Sequence, residues 1–155
     1  MEIQGVLWDM DGTLVDTEPY WIETETEVVE RYGQGGWTQE DGLGLVGMDL
    51  RDAARLMQAR GGVTLEVDAV VEALLDGVVA RIRSHIPWRP GARELLAEMN
   101  QSGLPLGLVT MSWRRFTEAV LEALPPGSFH AVVTGDDVAR GKPHPEPYQV
   151  GARLL

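Results

Sequence analysis

The chain has 155 residues, about the length of one domain, which is enough to bury a hydrophobic core. It contains no cysteine, which excludes a disulfide framework and thiolate chemistry, and its net charge of −11 argues against nucleic acids and anionic membranes as partners. A phosphorylated small molecule is not excluded, because one local basic group can override the overall sign. The start of the chain lacks the features of a signal peptide, and no run approaches the roughly 20 apolar residues of a membrane span, so we expect a cytoplasmic protein.

The first part of the chain predicts one strand followed by helices. The apolar run Ile3–Trp8, which ends at a polar Asp-Met-Asp-Gly sequence, predicts a buried strand. A helix is predicted after Thr17, with Pro19 in its first turn, Gly33 at its end and its acidic residues on a solvated face. The glycine-rich sequence after this helix is interpreted as a loop. Helical spacing of apolar residues predicts two further helices, over 49–60 and 64–83.

The second part of the chain alternates helices with strands. Helices are predicted over 92–100 and 113–124, strands over 104–110 and 130–135, and a last helix near the end. Strands that alternate with helices pair in parallel, so the sequence predicts the α/β fold class with a layered parallel sheet. The helices between Asp16 and Ile86 interrupt this pattern. We therefore assign residues 1–15 and 87–155 to an α/β core and residues 16–86 to an inserted helical domain.

Two carboxylates, Asp9 and Asp11, directly follow the first strand. An isolated Asp-x-Asp-Gly sequence is typical of a turn with glycine at positive φ. A calcium loop fails on spacing, because the EF-hand positions for an acid, a glycine and a glutamate hold Thr13, Leu14 and Tyr20. The chemical alternative is a site at which two oxygen ligands hold Mg²⁺, one carboxylate attacks phosphorus, and the other transfers a proton.

Three sequences resemble motifs of one enzyme family. DMDGTLVDTEP resembles the first motif of the haloacid dehalogenase superfamily, in its branch of helical-cap phosphatases and β-phosphoglucomutase-like enzymes. GLVT, which ends at Thr110, resembles the second motif, and GKPHPEPY closely resembles the third. The sequence RPGARELLAEM resembles the family's return from cap to core. The resemblance implies a Rossmann-like α/β core with an inserted α-helical cap.

The resemblance also implies a role for each motif residue. Asp9 corresponds to the nucleophile and a Mg²⁺ ligand, and Asp11 to the general acid and base, whose backbone carbonyl is another ligand. Thr110 corresponds to the residue that hydrogen-bonds the phosphoryl group, and Lys142 to the cation that neutralises charge on nucleophile and phosphate. In isolation, Thr110 is an ordinary residue at a strand end and Lys142 a solvated lysine.

The resemblance implies weaker candidates as well. Met10 and Met111 lie beside the motif residues and are included in the implied phosphate site. Gly47 and Arg51 are weak candidates for substrate contact from the cap, although a solvated helix position is the simpler interpretation of Arg51. The sequence GLGLVG fits a dinucleotide-binding pattern letter for letter, but no strand precedes it, so we reject that interpretation.

One part of the family pattern is missing from the sequence. The family's fourth motif, an acidic pair that completes the Mg²⁺ site after a fourth strand, does not follow Lys142. Asp136 and Asp137 precede that lysine and are not expected to replace the motif. We therefore expect an incomplete core, weak Mg²⁺ binding, and an exposed edge on the first strand through which the chain could self-associate.

Together these features predict a Mg²⁺-dependent phosphohydrolase that acts on a small phosphorylated metabolite through an aspartyl-phosphate intermediate. Two alternatives stay open. One is a β-phosphoglucomutase-like phosphomutase, which would return the phosphoryl group to a sugar. The other is a catalytically inactive fragment that lacks the fourth motif.

Overall fold

A computed structural model describes residues 3–155, and the chain divides into two compact units. One unit comprises the segment that ends at Asp16 together with His85–Leu155, and the other comprises Thr17–Ser84. The strands are Val6–Trp8 (β1), Leu106–Val109 (β2) and Ala131–Val133 (β3). The helices are Glu18–Tyr32 (α1), Gln39–Leu43 (α2), Leu50–Gly61 (α3), Val67–Ser84 (α4), Ala92–Gln101 (α5), Arg114–Leu121 (α6) and Glu146–Leu154 (α7).

The first unit is built on a three-stranded parallel sheet in the order β1-β2-β3. Val6 of β1 lies opposite Leu106 of β2, and Val109 of β2 lies opposite Val133 of β3. All four residues of the central strand are buried, and α7 packs against all three strands. The parallel sheet confirms the predicted α/β fold class.

The first strand is shorter than the sequence predicts. The expected strand began at Ile3, but regular pairing begins at Val6, and the Ile3 side chain is 68% exposed. Among the described residues β1 pairs only with β2, and its first two residues are half-buried rather than buried. Self-association through the other edge of β1 stays a prediction.

One glycine allows α7 to lie close against the sheet, and another makes room for a side chain of β1. A Cβ atom at Gly151 of α7 would lie 2.8 Å from Val109 Cγ2, and one at Gly107 of β2 would lie 2.7 Å from Leu7 Cδ2. At these distances a side chain at either position would force its neighbour to shift. This close packing fixes the position of α7 and of the loop that precedes it relative to the end of β2.

The second unit consists of four helices. α1 packs against α4 and α2, and α3 packs against α4. The two helices predicted over 49–60 and 64–83 are present as α3 and α4, shifted by one to three residues. No helix in the described part of the chain is long and apolar enough to cross a membrane. The buried face of α4 contains Val70, Val71, Leu74, Leu75, Val78, Val79 and Ile82.

The short helix α2 lies in the segment that the sequence analysis interpreted as a loop. Thr38 caps it, because the Thr38 hydroxyl accepts a hydrogen bond from the backbone N–H of Asp41 while the Asp41 carboxylate accepts one from the backbone N–H of Thr38. This reciprocal capping stabilises the first turn despite the glycines around it.

Glu25 contradicts the expectation that the acids of α1 form a solvated face. Its residue is 5% exposed, and its Oε2 atom has no hydrogen-bond partner. Gly42 of α2 lies directly against this oxygen, since a Cβ atom there would be 2.9 Å from it. Burial raises the pKa of Glu25 from its ordinary value of 4.5 to about 8, and the neighbouring Trp37 indole offsets part of the rise.

Replacement of Glu25 by glutamine is expected to flatten the dependence of stability on pH. The folded protein keeps the Glu25 proton up to about pH 8, whereas the unfolded chain releases it near 4.5, so the folded state binds more protons between these values. The stability of the original protein should therefore fall as pH rises through this window, by an amount on the order of a few kcal/mol.

The measurement is urea unfolding of both proteins between pH 5 and pH 9. Glu25→Gln should gain stability relative to the original protein as pH rises, whereas Glu30→Gln, at an exposed position of the same helix, should not. Parallel pH profiles for the original protein and Glu25→Gln would contradict the assignment.

Candidate functional site

The ends of the three parallel strands carry most of the polar residues predicted from the sequence. Asp9 and Asp11 follow β1, and Thr110 follows β2. Lys142 lies in the loop between β3 and α7. Because parallel strands end at the same edge of a sheet, these segments come together at the C-terminal edge of β2.

The loop after β1 is held by buried apolar residues. Met10, Leu14 and Val15 are fully buried, and the Met10 carbonyl oxygen accepts hydrogen bonds from three backbone N–H groups of the same loop. Gly12 has a φ of +79°, a conformation that side chains rarely adopt. With the Met10 side chain in the core, only its backbone could contact a ligand at this edge.

A lysine joins the loop before α7 to the end of β1. Lys142 Nζ donates hydrogen bonds to Asp9 Oδ1 at 2.6 Å and to the Val109 carbonyl oxygen at 2.8 Å. The side chain of Asp9 is 37% exposed and that of Lys142 is 21% exposed, so the pair is open to solvent on one side. The Thr13 hydroxyl donates to the other carboxylate oxygen of Asp9 at 3.3 Å.

Two hydroxyl groups hold the second carboxylate. Asp11 Oδ2 accepts hydrogen bonds from Thr110 Oγ1 at 3.1 Å and from Ser112 Oγ at 2.8 Å. The backbone N–H of Ser112 also donates to Thr110 Oγ1 at 3.0 Å. The sequence analysis missed Ser112, and the available signal was a second hydroxyl residue in the loop that begins at Thr110.

Met111 connects the loop after β2 to the two neighbouring segments. Its thioether sulfur accepts a hydrogen bond from the backbone N–H of Lys142 at 3.0 Å. Its backbone carbonyl lies so close to Gly135 that a Cβ atom at Gly135 would overlap it. The Lys142 ammonium group also lies 5.0 Å from the centre of the Tyr148 ring, at the distance of a cation–π contact.

A second acidic pair at this edge, Asp136 and Asp137, is held by hydrogen bonds within the turn after β3 and from Arg114. The Thr134 hydroxyl donates to Asp136 Oδ1 at 2.7 Å and also lies 2.7 Å from Asp137 Oδ2, and Arg114 donates to Asp137 Oδ2 at 2.5 Å. Burial alone would raise the pKa of Asp137, but the hydrogen bonds from Thr134 and Arg114 lower it. Within residues 3–155, no group of three or more histidine or acidic side chains forms a cluster suited to a metal ion.

The two candidates in the helical unit are Gly47 and Arg51. Gly47 has a φ of +78°, and Arg51 Nε lies 3.2 Å from Asp68 Oδ1 in an ion pair in which the Arg51 side chain is 50% exposed. This pair favours the simpler interpretation of Arg51 as a surface residue. Contact of either residue with a substrate stays a prediction.

Comparisons with known proteins agree on one family. The model of the haloacid dehalogenase-like hydrolases matches residues 6–155. Pyrophosphatase PpaX from Anoxybacillus flavithermus is 29% identical over 156 residues, which cover 100% of this chain and 70% of that protein. Hexitol phosphatase B from Escherichia coli is 28% identical over 151 residues, which cover 95% of this chain and 67% of that protein.

A solved structure shows the same fold. CbbY from Rhodobacter sphaeroides, crystallised in complex with xylulose-(1,5)-bisphosphate, superposes with a TM-score of 0.88 at 25% sequence identity. The match covers 99% of this chain and 73% of that one.

Replacement of Gly135 by alanine is expected to destabilise the strand-end loops. The new methyl group would overlap the Met111 carbonyl oxygen, and backbone on both sides would have to shift. Overpacking of this kind costs about 1–3 kcal/mol. Gly141→Ala is the matched control, because its methyl group would meet only the flexible end of the Met111 side chain.

Thermal or urea unfolding of both variants measures the difference. An equal loss of stability in the two variants would show that the close approach of Gly135 to the Met111 carbonyl does not require a glycine at position 135.

Proposed function

The chain belongs to the haloacid dehalogenase-like hydrolases, a family of enzymes, and on that premise we propose that it hydrolyses a small phosphorylated metabolite with Asp9 as nucleophile. The observation that carries the proposal is the 2.6 Å contact between Lys142 Nζ and Asp9 Oδ1 at the C-terminal edge of the sheet. This contact places a cation beside a carboxylate that would otherwise repel an incoming phosphoryl anion. Phosphoryl transfer depends mainly on such positioning and charge compensation.

In the first step, a carboxylate oxygen of Asp9 forms a bond to phosphorus. The bond between phosphorus and the leaving oxygen breaks, and Asp11 in its acid form gives its proton to that oxygen. Lys142 stabilises the negative charge on the nucleophile and on the phosphoryl oxygens, and the Thr110 hydroxyl donates to the phosphoryl group. The products of this step are the dephosphorylated metabolite and an aspartyl-phosphate.

In the second step, water attacks the phosphorus of the aspartyl-phosphate. Asp11, now a carboxylate, accepts a proton from the water, and the bond between phosphorus and the Asp9 oxygen breaks. Inorganic phosphate leaves, and both aspartates return to their starting states. The position of Asp11 two residues after Asp9 suits it for proton transfer in both steps.

Oxygen donors at this edge fit Mg²⁺, which the family implies as a cofactor. Mg²⁺ in phosphoryl-transfer sites is bound by one or two carboxylates together with waters and substrate phosphate oxygens. The partly exposed Asp9 carboxylate and the Asp11 backbone carbonyl would hold it. When bound, the ion would neutralise negative charge on the phosphoryl group.

The proposed substrate is a small molecule that carries a terminal phosphoryl group. Two relatives are named as phosphatases of small phosphorylated compounds, a pyrophosphatase and a hexitol phosphatase, and CbbY was crystallised with a sugar bisphosphate. The feature common to these compounds is a phosphoryl group, which the Asp9–Lys142 pair suits. We propose that the helical unit Thr17–Ser84 acts as the cap that recognises the remainder of the substrate, with Gly47 and Arg51 as candidate contacts.

A phosphomutase would use the same four residues but transfer the phosphoryl group back to a sugar. Release of inorganic phosphate from the phosphorylated protein without added sugar supports hydrolysis, whereas release that requires a sugar phosphate supports the mutase.

Asp9 is expected to be the residue that acetyl phosphate phosphorylates. Mass spectrometry of the protein, quenched in acid after incubation with acetyl phosphate and Mg²⁺, should locate one labile phosphoryl group on Asp9. Asp9→Asn should remove the label, and Asp16→Asn, in the same segment but paired with Arg89, should retain it. A label that survives Asp9→Asn, or its absence from the original protein, would overturn the nucleophile assignment.

Removal of the Lys142 charge is expected to weaken phosphate binding. A charge-assisted hydrogen bond contributes about 1.5–3 kcal/mol, so Lys142→Ala should lower the affinity for vanadate by roughly tenfold or more. Arg140→Ala is the control, because Arg140 is an exposed cation two residues away that pairs with Glu146 instead. Calorimetric titration measures the affinities for vanadate. Equal affinities of the original protein and Lys142→Ala would show that Lys142 does not contact the bound anion.

A further inference from the structure

The carboxylate of Asp11 is hydrogen-bonded to the loop after β2. One oxygen, Oδ2, accepts from both the Thr110 and the Ser112 hydroxyl groups, at 3.1 Å and 2.8 Å. The backbone N–H of Ser112 donates to the Thr110 hydroxyl oxygen at 3.0 Å. Thr110 is fully buried and Ser112 is half-buried, so water competes weakly for the Thr110 hydroxyl.

The number of hydroxyl protons limits what Thr110 can do. A threonine hydroxyl carries one proton and can donate one full hydrogen bond, although it can accept others through its lone pairs. In this structure the Thr110 hydroxyl donates to Asp11 Oδ2 at 3.1 Å. When Thr110 donates to a bound phosphoryl group, as the proposed function requires, its hydrogen bond to Asp11 must break, whereas the bond from the Ser112 backbone can persist.

We propose that Ser112 is a positioning residue that holds the Asp11 carboxyl group in place when the Thr110 hydroxyl turns to the phosphoryl group. This role rests on the proposed function of the site. Ser112 Oγ makes the shorter of the two hydroxyl contacts and carries its own proton. It can therefore continue to donate to Asp11 when the Thr110 hydroxyl donates to the phosphoryl group. Without it, Asp11 would lose both hydroxyl donors on phosphate binding.

The contact also restricts the orientation of the Asp11 carboxyl group. Oδ2 accepts hydrogen bonds from two hydroxyl groups of the loop after β2, so rotation of the carboxyl group about its Cβ–Cγ bond would break both contacts. Once the Thr110 hydroxyl donates to the phosphoryl group, the Ser112 hydroxyl still restricts this rotation without contacting the reacting atoms.

Kinetics with two leaving groups tests this role. General-acid catalysis matters most for a poor leaving group, so Ser112→Ala should reduce kcat/KM for an alkyl phosphate such as glycerol phosphate by about tenfold or more. With p-nitrophenyl phosphate, whose leaving group needs little protonation, kcat/KM should change by less than about twofold, because kcat/KM reports on the steps up to departure of the leaving group and not on the later attack of water. Ser112→Thr, which keeps the hydroxyl, should restore turnover of the alkyl phosphate, and Ser102→Ala, an exposed serine at the end of α5, should change neither substrate.

A loss of kcat/KM that is equal for both substrates, or an unchanged kcat/KM for the alkyl phosphate, would overturn the role of Ser112. If the original protein turns over neither substrate, the proposed function fails, and a labelling experiment decides the contact independently. Modification of carboxyl groups with a carbodiimide and an amine, read by mass spectrometry, should label Asp11 several-fold faster in Ser112→Ala than in the original protein, with Asp16 as internal reference. Equal labelling of Asp11 in the two proteins would overturn the inference.

Discussion

The parallel pairing of β2 with a neighbour on each side is the constraint on which the candidate site depends. Parallel strands end at the same edge of a sheet, and their connections must cross over to return there. The loops after β1, β2 and β3 are therefore brought together although long segments separate them in sequence. Asp9 and Lys142, 133 residues apart, come into contact because each follows a strand of this sheet.

The acidic character of the chain does not conflict with an anionic substrate, because charge is compensated locally. The net charge is −11, yet the carboxylate proposed as nucleophile is paired with an ammonium group at 2.6 Å. That ammonium group is held from three sides, by Asp9, by the Val109 carbonyl and by the Tyr148 ring. The electrostatic field at the strand ends is consequently set by a few neighbouring groups rather than by the total charge.

Two pairs of aspartates lie near the strand ends, and their surroundings give them different chemistry. Asp136 and Asp137 accept hydrogen bonds from Thr134 and Arg114, and these contacts organise the turn after β3. Asp9 and Asp11 instead project from a loop whose apolar residues are buried, and they contact a lysine and three hydroxyl groups. The residue type is the same in both pairs, but the partners make one pair structural and leave the other for the phosphoryl transfer that we propose.

By itself the sequence determined the α/β class and the order of most elements, because apolar periodicity, capping residues and glycine positions are local signals. The resemblance of three short sequences to known motifs indicated the family and the four motif residues. It contained a local signal for α2 as well, in the spacing of Thr38 and Asp41, which the surrounding glycines obscured. Only the tertiary structure decided that Glu25 is buried against α2, that β1 is limited to three residues, and that Ser112 contacts Asp11 across 101 positions. Burial and such contacts depend on side chains from distant segments, and spacing along the chain does not record which of them meet.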